Sequence, residues 1–446
     1  MDRLLSYIVR AVVWISRFAR LLSRMGLLKY EEWQQGKPVK VLLVGYNGAR
    51  NTGADARVVA LTRQLEQQLG TDKIEMTVMT LDTDRVSGYF PGSVRLFRFS
   101  TLFFFPLLRA ASRSHAAVLC EGSTLTRTFA DALCVFFCEA AGIMKSQHKP
   151  CIAYGSEVGH VDGWLARLSR DLCSDTYFIV RTQESLKNLK ALGLKGHVGT
   201  DTAWTFQAPE AEQWARQQLL RDGWDGRQPL LGVAVLNPFC WPVRPSLSQW
   251  LKASLGGDRS LQYDKMYFFS DDEERRRRFQ HYLSEMAAAV NHYSEARNAF
   301  VVILGMEQLD DEPCRRFEQL VTRPHARFTS KTCDVFQMTG LLRQLSTLVT
   351  SRYHAAVLSM ERAFPIVGVS FDARLSGVMS EVGLSDHYLF KADDEQLCSH
   401  LTQSLQLAEE HRQEVSDTIA RQLNEYKATV DEMSKFFAEW LEQHFS

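Results

Sequence analysis

The stretch that most constrains this chain is Ser351-Arg352-Tyr353-His354-Ala355-Ala356, together with Val369-Ser370-Phe371-Asp372-Ala373-Arg374 just after it. Residues 345–350 read as a short apolar strand. Residues 353–363 have helical content with neither Gly nor Pro, and Pro365 ends that helix. Residues 365–371 then predict a second buried strand and residues 372–381 a second helix. Strand, helix, strand, helix with short joints is the signature of a parallel sheet, whose strand carboxyl ends open on one edge, where open α/β sheets bind ligands. Arg352, His354, Asp372 and Arg374 are therefore expected to face one crevice.

Length supports more than one such unit, because 446 residues at 45% hydrophobic content can bury more than one core. Lys+Arg and Asp+Glu each total 52, so the formal net charge is zero, which argues against nucleic acid as the main partner. The cysteines are scattered, mostly in apolar segments, and form no CxxC pair, which fits small buried hydrophobes in a reducing compartment. No His, Asp or Glu cluster has ligand spacing, so neither a metal nor a bound cofactor is expected.

Residues 1–36 form a separate unit. Arg3, Arg10, Arg17 and Arg24 recur every seven residues, while Leu4, Leu5, Ile8, Val12, Ile15, Phe18, Leu21 and Leu22 fill other faces, which predicts an amphipathic basic helix. No uncharged run approaches the roughly 20 residues of a spanning helix, and no small-residue cleavage site follows. Two readings stay open for residues 1–30. The helix either lies on an anionic cytoplasmic leaflet or docks on the protein's own body or on a second subunit. The expected location is cytoplasmic, with peripheral contact at the inner face of the membrane under the first reading.

Strands are expected at 39–45, 75–81, 116–120, 151–154 and 176–180, each opening into a polar loop on one rim. The first loop, residues 46–55, contains Gly48, Gly53 and Asp55. A glycine-containing joint between strand and helix offers either an anion site or a plain turn. Residues 207–228 are helical in pattern and end in a turn-rich joint, so a boundary is placed there, giving a first domain over 37–222 and a second over 223–400. The second series has strands expected at 230–236, 265–269 and 300–304. The run Ser270-Asp271-Asp272-Glu273-Glu274-Arg275-Arg276-Arg277-Arg278 predicts a solvated helix capped by Ser270, with Glu273/Arg277 and Glu274/Arg278 paired at i, i+4. Residues 401–446 predict helices whose apolar stripe packs back across the first domain.

Taken together, residues from about 40 to about 390 resemble the polysaccharide pyruvyl transferase family. Gly48-Ala49-Arg50-Asn51-Thr52-Gly53-Ala54-Asp55 is similar to its first loop, with Ala54 inserted before the aspartate. Glu121-Gly122-Ser123 stands where the family has a glycine-rich turn, and Tyr154-Gly155-Ser156-Glu157-Val158-Gly159 where it has a Gly-x-x-x-Gly segment. Arg181-Thr182-Gln183-Glu184-Ser185 with Gly193 and Asp201 matches a further run. Ser351-Arg352-Tyr353-His354-Ala355 matches its Ser-Arg-Leu/Tyr-His-Ala signature, and Phe371-Asp372-Ala373-Arg374 its Tyr-x-x-Lys.

The resemblance implies two Rossmann-like doubly wound α/β domains in a glycosyltransferase-B-like (GT-B-like) arrangement. It also implies a transferase that moves the enolpyruvyl unit of phosphoenolpyruvate onto a sugar of a polysaccharide precursor, lipid-linked or free, as a pyruvate ketal. The donor's carboxylate and phosphate need forked cations and helix N-termini, and protonation of its vinyl carbon needs an acid/base near neutrality. The catalytic residues expected on this basis are His354, Arg352 and Asp372, with Arg181, Arg374, Gly53, Asp55, Gly122, Ser123 and Glu157 binding substrates. A nucleotide-sugar glycosyltransferase of the same fold, or a silent scaffold in glycan assembly, remain the competing readings.

Overall fold

The computed structural model describes residues 2–100, 103–127, 131–255, 262–264 and 267–446. The apolar run Val41-Leu42-Leu43-Val44 is fully buried, as a parallel strand with helices on both faces requires. The chain runs from α1 (Asp2–Arg24) into β1 (Val39–Asn47), which holds that run, then α2 (Thr52–Leu69), β2 (Ile74–Thr80), β3 (Arg95–Arg98) and α3 (Phe104–Ser112). It continues through β4 (Ala116–Leu119), α4 (Asp131–Ser146), β5 (Cys151–Ser156), α5 (Gly163–Leu172), β6 (Tyr177–Val180), α6 (Gln183–Ala191) and β7 (Lys195–Val198). These strands form one parallel sheet in the order β3-β2-β1-β4-β5-β6-β7. The order reverses between β1 and β4, the place where a ligand crevice opens in such sheets.

After α7 (Pro209–Arg221) and β8 (Leu230–Ala234) come β9 (Arg244–Pro245), α8 (Leu247–Ser254), β10 (Gln262–Asp264) and β11 (Tyr267–Phe268). The alternation resumes with α9 (Glu273–Arg297), β12 (Phe300–Gly305), α10 (Asp311–Glu318), β13 (His325–Thr329), α11 (Val335–Leu342), β14 (Thr347–Thr350) and α12 (Tyr353–Ser359). It ends with β15 (Ile366–Ser370), α13 (Ala373–Glu381), α14 (Ser385–Tyr388) and β16 (Leu389–Lys391), before α15 (Leu397–Glu410) and α16 (Arg412–His444). The second parallel sheet has the order β13-β12-β8-β14-β15-β16. The protein is thus α/β, with two doubly wound parallel sheets.

Several expectations need correction. The strand expected at 265–269 begins outside the described residues, and of its described part Tyr267 and Phe268 belong to a small antiparallel sheet β10-β11-β9, while Phe269 lies past the strand. The second sheet has no place for it, because β12 pairs directly with β8. Residues 125–144 read from the sequence as one long helix, but Leu125 bridges to Val158 instead, the described helix runs from Asp131, and residues 128–130 lie outside the described set. The cap of α9 is Asp272, whose carboxylate accepts from the Arg275 N–H at 2.8 Å, while the Ser270 hydroxyl donates to the Pro242 carbonyl. Because Asp271 and Asp272 precede the helix, its arginines reach back to them, and Arg277 pairs with Glu274 at i, i+3.

The two terminal helices join the first sheet from opposite directions. α1 packs on α4, burying Val13, Ser16, Arg20 and Ser23, and a buried ion pair joins Arg20 to Glu139. Among the described residues no helix is long and apolar enough to cross a membrane. α16 returns across the chain as its stripe predicts. Tyr426 stacks on Trp204 with centroids 4.2 Å apart, and Met433, Phe437 and Trp440 enter the core beside Tyr154 and Ile179. The first sheet therefore depends on the last helix, and Phe437→Ala is expected to cost about 3–5 kcal/mol, measured as the shift of the urea unfolding midpoint.

Candidate active site between the two sheets

The loop between β1 and α2 reaches across to the second sheet. The Thr52 N–H donates to the Met306 carbonyl at 2.9 Å, and the Arg50 carbonyl accepts from the Gln308 N–H at 3.1 Å and the Ser330 hydroxyl at 2.8 Å. Asn51 caps α2, accepting from the Ala54 N–H at 3.1 Å. Immediately after this cap, a Cβ on Gly53 would lie 2.0 Å from His354 Nδ1. Only glycine lets the imidazole of the second half rest against the first turn of α2.

Beyond His354 lies a buried carboxylate shared by both halves. Asp201 accepts from Arg57 Nη1 at 3.0 Å and Arg181 Nη1 at 2.8 Å, and His354 Nε2 stands 3.6 Å away, just past hydrogen-bond length. Burial pushes the Asp201 carboxyl upward, but Arg57, His354 and Arg181 outweigh it and hold it well below the usual carboxylate range. Burial also lowers the pKa of His354, against the pull of Asp201. Arg181 completes its fork with Glu157 at 2.7 Å and lies over the Tyr353 ring. Gly122 makes this convergence sterically feasible, since a Cβ there would sit 2.7 Å from Arg57 Nη1 and 3.2 Å from Arg181 Nη1.

In the second half, Arg352 stands at the cap position of α12 and pairs with Glu307 at 3.2 Å and with Asp310. Asp372 caps α13, accepting from the Arg374 N–H and from Arg374 Nε, both at 3.0 Å. Arg374 Nε is also 4.0 Å from Glu157, an ion pair that bridges the two sheets. Two adjoining concavities result. One is lined by Gly53, Glu121, Ser123, Arg352, His354 and Arg374. The other is lined by Glu157, Arg181, Asp372, Gln183, Glu381 and again Arg374.

Of the residues expected to form the site, His354, Arg352, Arg374, Gly53 and Ser123 therefore meet in one cleft, and Arg181, Glu157 and Asp372 meet in the next. Arg181, expected as a direct anion ligand, has its guanidinium engaged by Asp201 and Glu157, and it does not line the first cleft. Asp55 is not at either surface. It is buried behind the loop, accepting from the Gly48 N–H at 3.0 Å, and burial pushes its pKa to about 7. Sequence reasoning assigned no role to Arg57, Glu307 or Asp310, and none to Asp201 within the matched run. The available signals were an arginine inside the apolar run of α2 and an aspartate soon after an edge strand, β7.

A family profile for polysaccharide pyruvyl transferase matches residues 51–370, which spans Gly53, the Asp201 cluster and His354. The chain belongs to that family. It is accordingly a transferase of polysaccharide biosynthesis. No curated protein matches significantly. Among solved structures, the UDP-GlcNAc 2-epimerase of Neisseria meningitidis is similar at TM-score 0.58 and 10% identity, covering 91% of this chain and 100% of that one. The α,α-trehalose 6-phosphate synthase of Burkholderia multivorans is similar at TM-score 0.52 and 12% identity, covering 91% and 98%. At these identities the likeness is one of fold, and it places this family member among GT-B-like proteins.

Two consequences can be measured. Asp201→Asn leaves two buried guanidinium groups without their shared counter-charge, an expected loss of about 3–5 kcal/mol in urea unfolding. Asp55 has a folded pKa above its unfolded value, so the stability tied to it is present at acid pH and lost as pH rises toward 7. Asp55→Asn removes that loss. Its melting temperature relative to the unaltered protein is expected to climb between about pH 4 and pH 7 and to level off above.

Proposed function

We propose that this protein transfers the enolpyruvyl unit of phosphoenolpyruvate to two hydroxyls of a saccharide, forming a cyclic pyruvate ketal and releasing phosphate. The observation that carries this reading is that Arg374 lines both adjoining concavities, one holding Arg352, His354 and the first turn of α2 beside Glu121 and Glu307, the other holding Glu157, Asp372 and Glu381. In the first, Arg352, Arg374 and the N-terminus of α2 supply the forked donors and dipole that a carboxylate and a phosphate need. In the second, Glu157 and Asp372 offer acceptors for sugar hydroxyls. Arg181 acts at one remove, positioning Asp201 and Glu157.

His354 supplies the proton. As the donor's methylene carbon takes it up, C2 becomes oxocarbenium-like and one hydroxyl adds to it. Departure of phosphate regenerates the cation, and the second hydroxyl closes the ketal. Of the two hydroxyl protons released, one balances that on the new methyl group and the other leaves with phosphate. A histidine with Asp201 at 3.6 Å to stabilise its protonated form suits a group that gives its proton to the carbon and takes one back from the hydroxyl that adds.

The test is phosphate release from phosphoenolpyruvate with free and lipid-linked saccharide acceptors. His354→Ala is expected to lower the rate by about 10²–10⁴-fold. Arg352→Ala is expected to reduce turnover to background with the circular dichroism spectrum retained. Full activity in both variants would sink the assignment, and turnover of a nucleotide sugar without phosphate release would put glycosyl transfer in its place.

A further inference from the structure

The way α1 sits on the protein reverses the usual order of an amphipathic helix. Its docked side carries Ser16, Arg20 and Ser23 with Val13, and the Arg20 guanidinium reaches Ser16 and the buried Glu139. The opposite side carries Trp14, Phe18, Leu21 and Met25, at helical spacings of four, three and four. Their exposures are 68%, 64%, 51% and 62%. A surface helix ordinarily buries its large apolar residues and exposes its polar ones. Here the anchor to the body is a buried ion pair, and the apolar stripe is left facing outward.

Charge decides what that stripe meets. Arg17 and Arg24 are exposed beside it, Arg17 lying over the Trp14 ring, and Arg167 of α5 lines the same surface near Trp14. Asp171 lines that surface too, but no carboxylate occurs in the chain from Arg3 to Tyr30. A twofold contact with a second copy would set this arginine-flanked stripe against itself, which like charges oppose. An anionic bilayer surface instead accepts the indole and phenyl rings among its headgroups and attracts the flanking arginines.

We infer that α1 is a membrane-docking element, laid flat on an anionic phospholipid surface through Trp14, Phe18, Leu21 and Met25 and clamped to the body by Arg20 and Glu139. The contact does not depend on the pyruvyl transfer reading, and it is tested without any measure of activity. The full chain is floated with vesicles of phosphatidylcholine alone and of phosphatidylcholine mixed with phosphatidylglycerol. It is expected to rise with the mixed vesicles and to stay behind with the neutral ones. Raising salt to about 1 M, where screening acts within about 3 Å, is expected to weaken the binding. The Phe18→Ser/Leu21→Ser variant alters only exposed positions and is expected to keep its circular dichroism spectrum while its vesicle-bound fraction falls about tenfold or more. Absence of flotation with the mixed vesicles, or equal flotation of the double variant, overturns the inference. So does a dimer in sedimentation that the double variant dissolves, since the stripe would then belong to a second copy.

Discussion

A single buried carboxylate organises the cleft. Asp201 follows β7 and balances Arg57 from α2 and Arg181 from the end of β6, while His354 approaches it from the other sheet. Arg57 and Arg181 are both buried, and burying two guanidinium groups is tolerated only where a carboxylate and further acceptors satisfy them. The further acceptors are the carbonyls of Tyr154 and Gly155 for Arg57 and the Glu157 carboxylate for Arg181. This ties the carboxyl ends of β5, β6 and β7 to one point, against which the imidazole of the second half is set.

The second half meets that point through equally specific contacts. The bond from Thr52 to Met306 and those made by Arg50 fasten the first loop to the rim beyond β12. Elsewhere Gly340 of α11 packs so closely on α7 that a Cβ would lie 2.4 Å from the Ala211 carbonyl oxygen. Arg343 then donates to the Phe206 carbonyl at 2.8 Å. Hydrogen bonds at the rim and close helix packing behind it together set the spacing at which His354 can rest on Gly53.

Much of this was legible beforehand where periodicity and punctuation were strong. The unit from β14 to α13 has continuous apolar strands and a helix stopped before Pro365, so its order and the edge carrying Arg352, His354, Asp372 and Arg374 could be read directly. The edge strands β7 and β13 were not legible, because Lys195, His197, His325 and Arg327 interrupt any apolar run. Edge strands contact fewer neighbours and tolerate such residues. The small antiparallel sheet was missed for a related reason: strands of two or three residues leave no periodic signal.

By itself the sequence determined the local elements, the gathering of charged residues at strand ends, and the family signatures, because each depends on neighbours within a few positions. Only the tertiary structure decided which charges satisfy one another. Arg181 and Arg352 look alike as strand-end arginines and each is held by two carboxylates, yet Arg352, held by Glu307 and Asp310, lines the first cleft, while Arg181, held by Asp201 and Glu157, lines the second. It also decided that α1 docks by its polar side, because Glu139, the partner of Arg20, lies 119 positions away in the chain. Ion pairing between distant residues depends on where the fold brings them, and no local pattern encodes that distance.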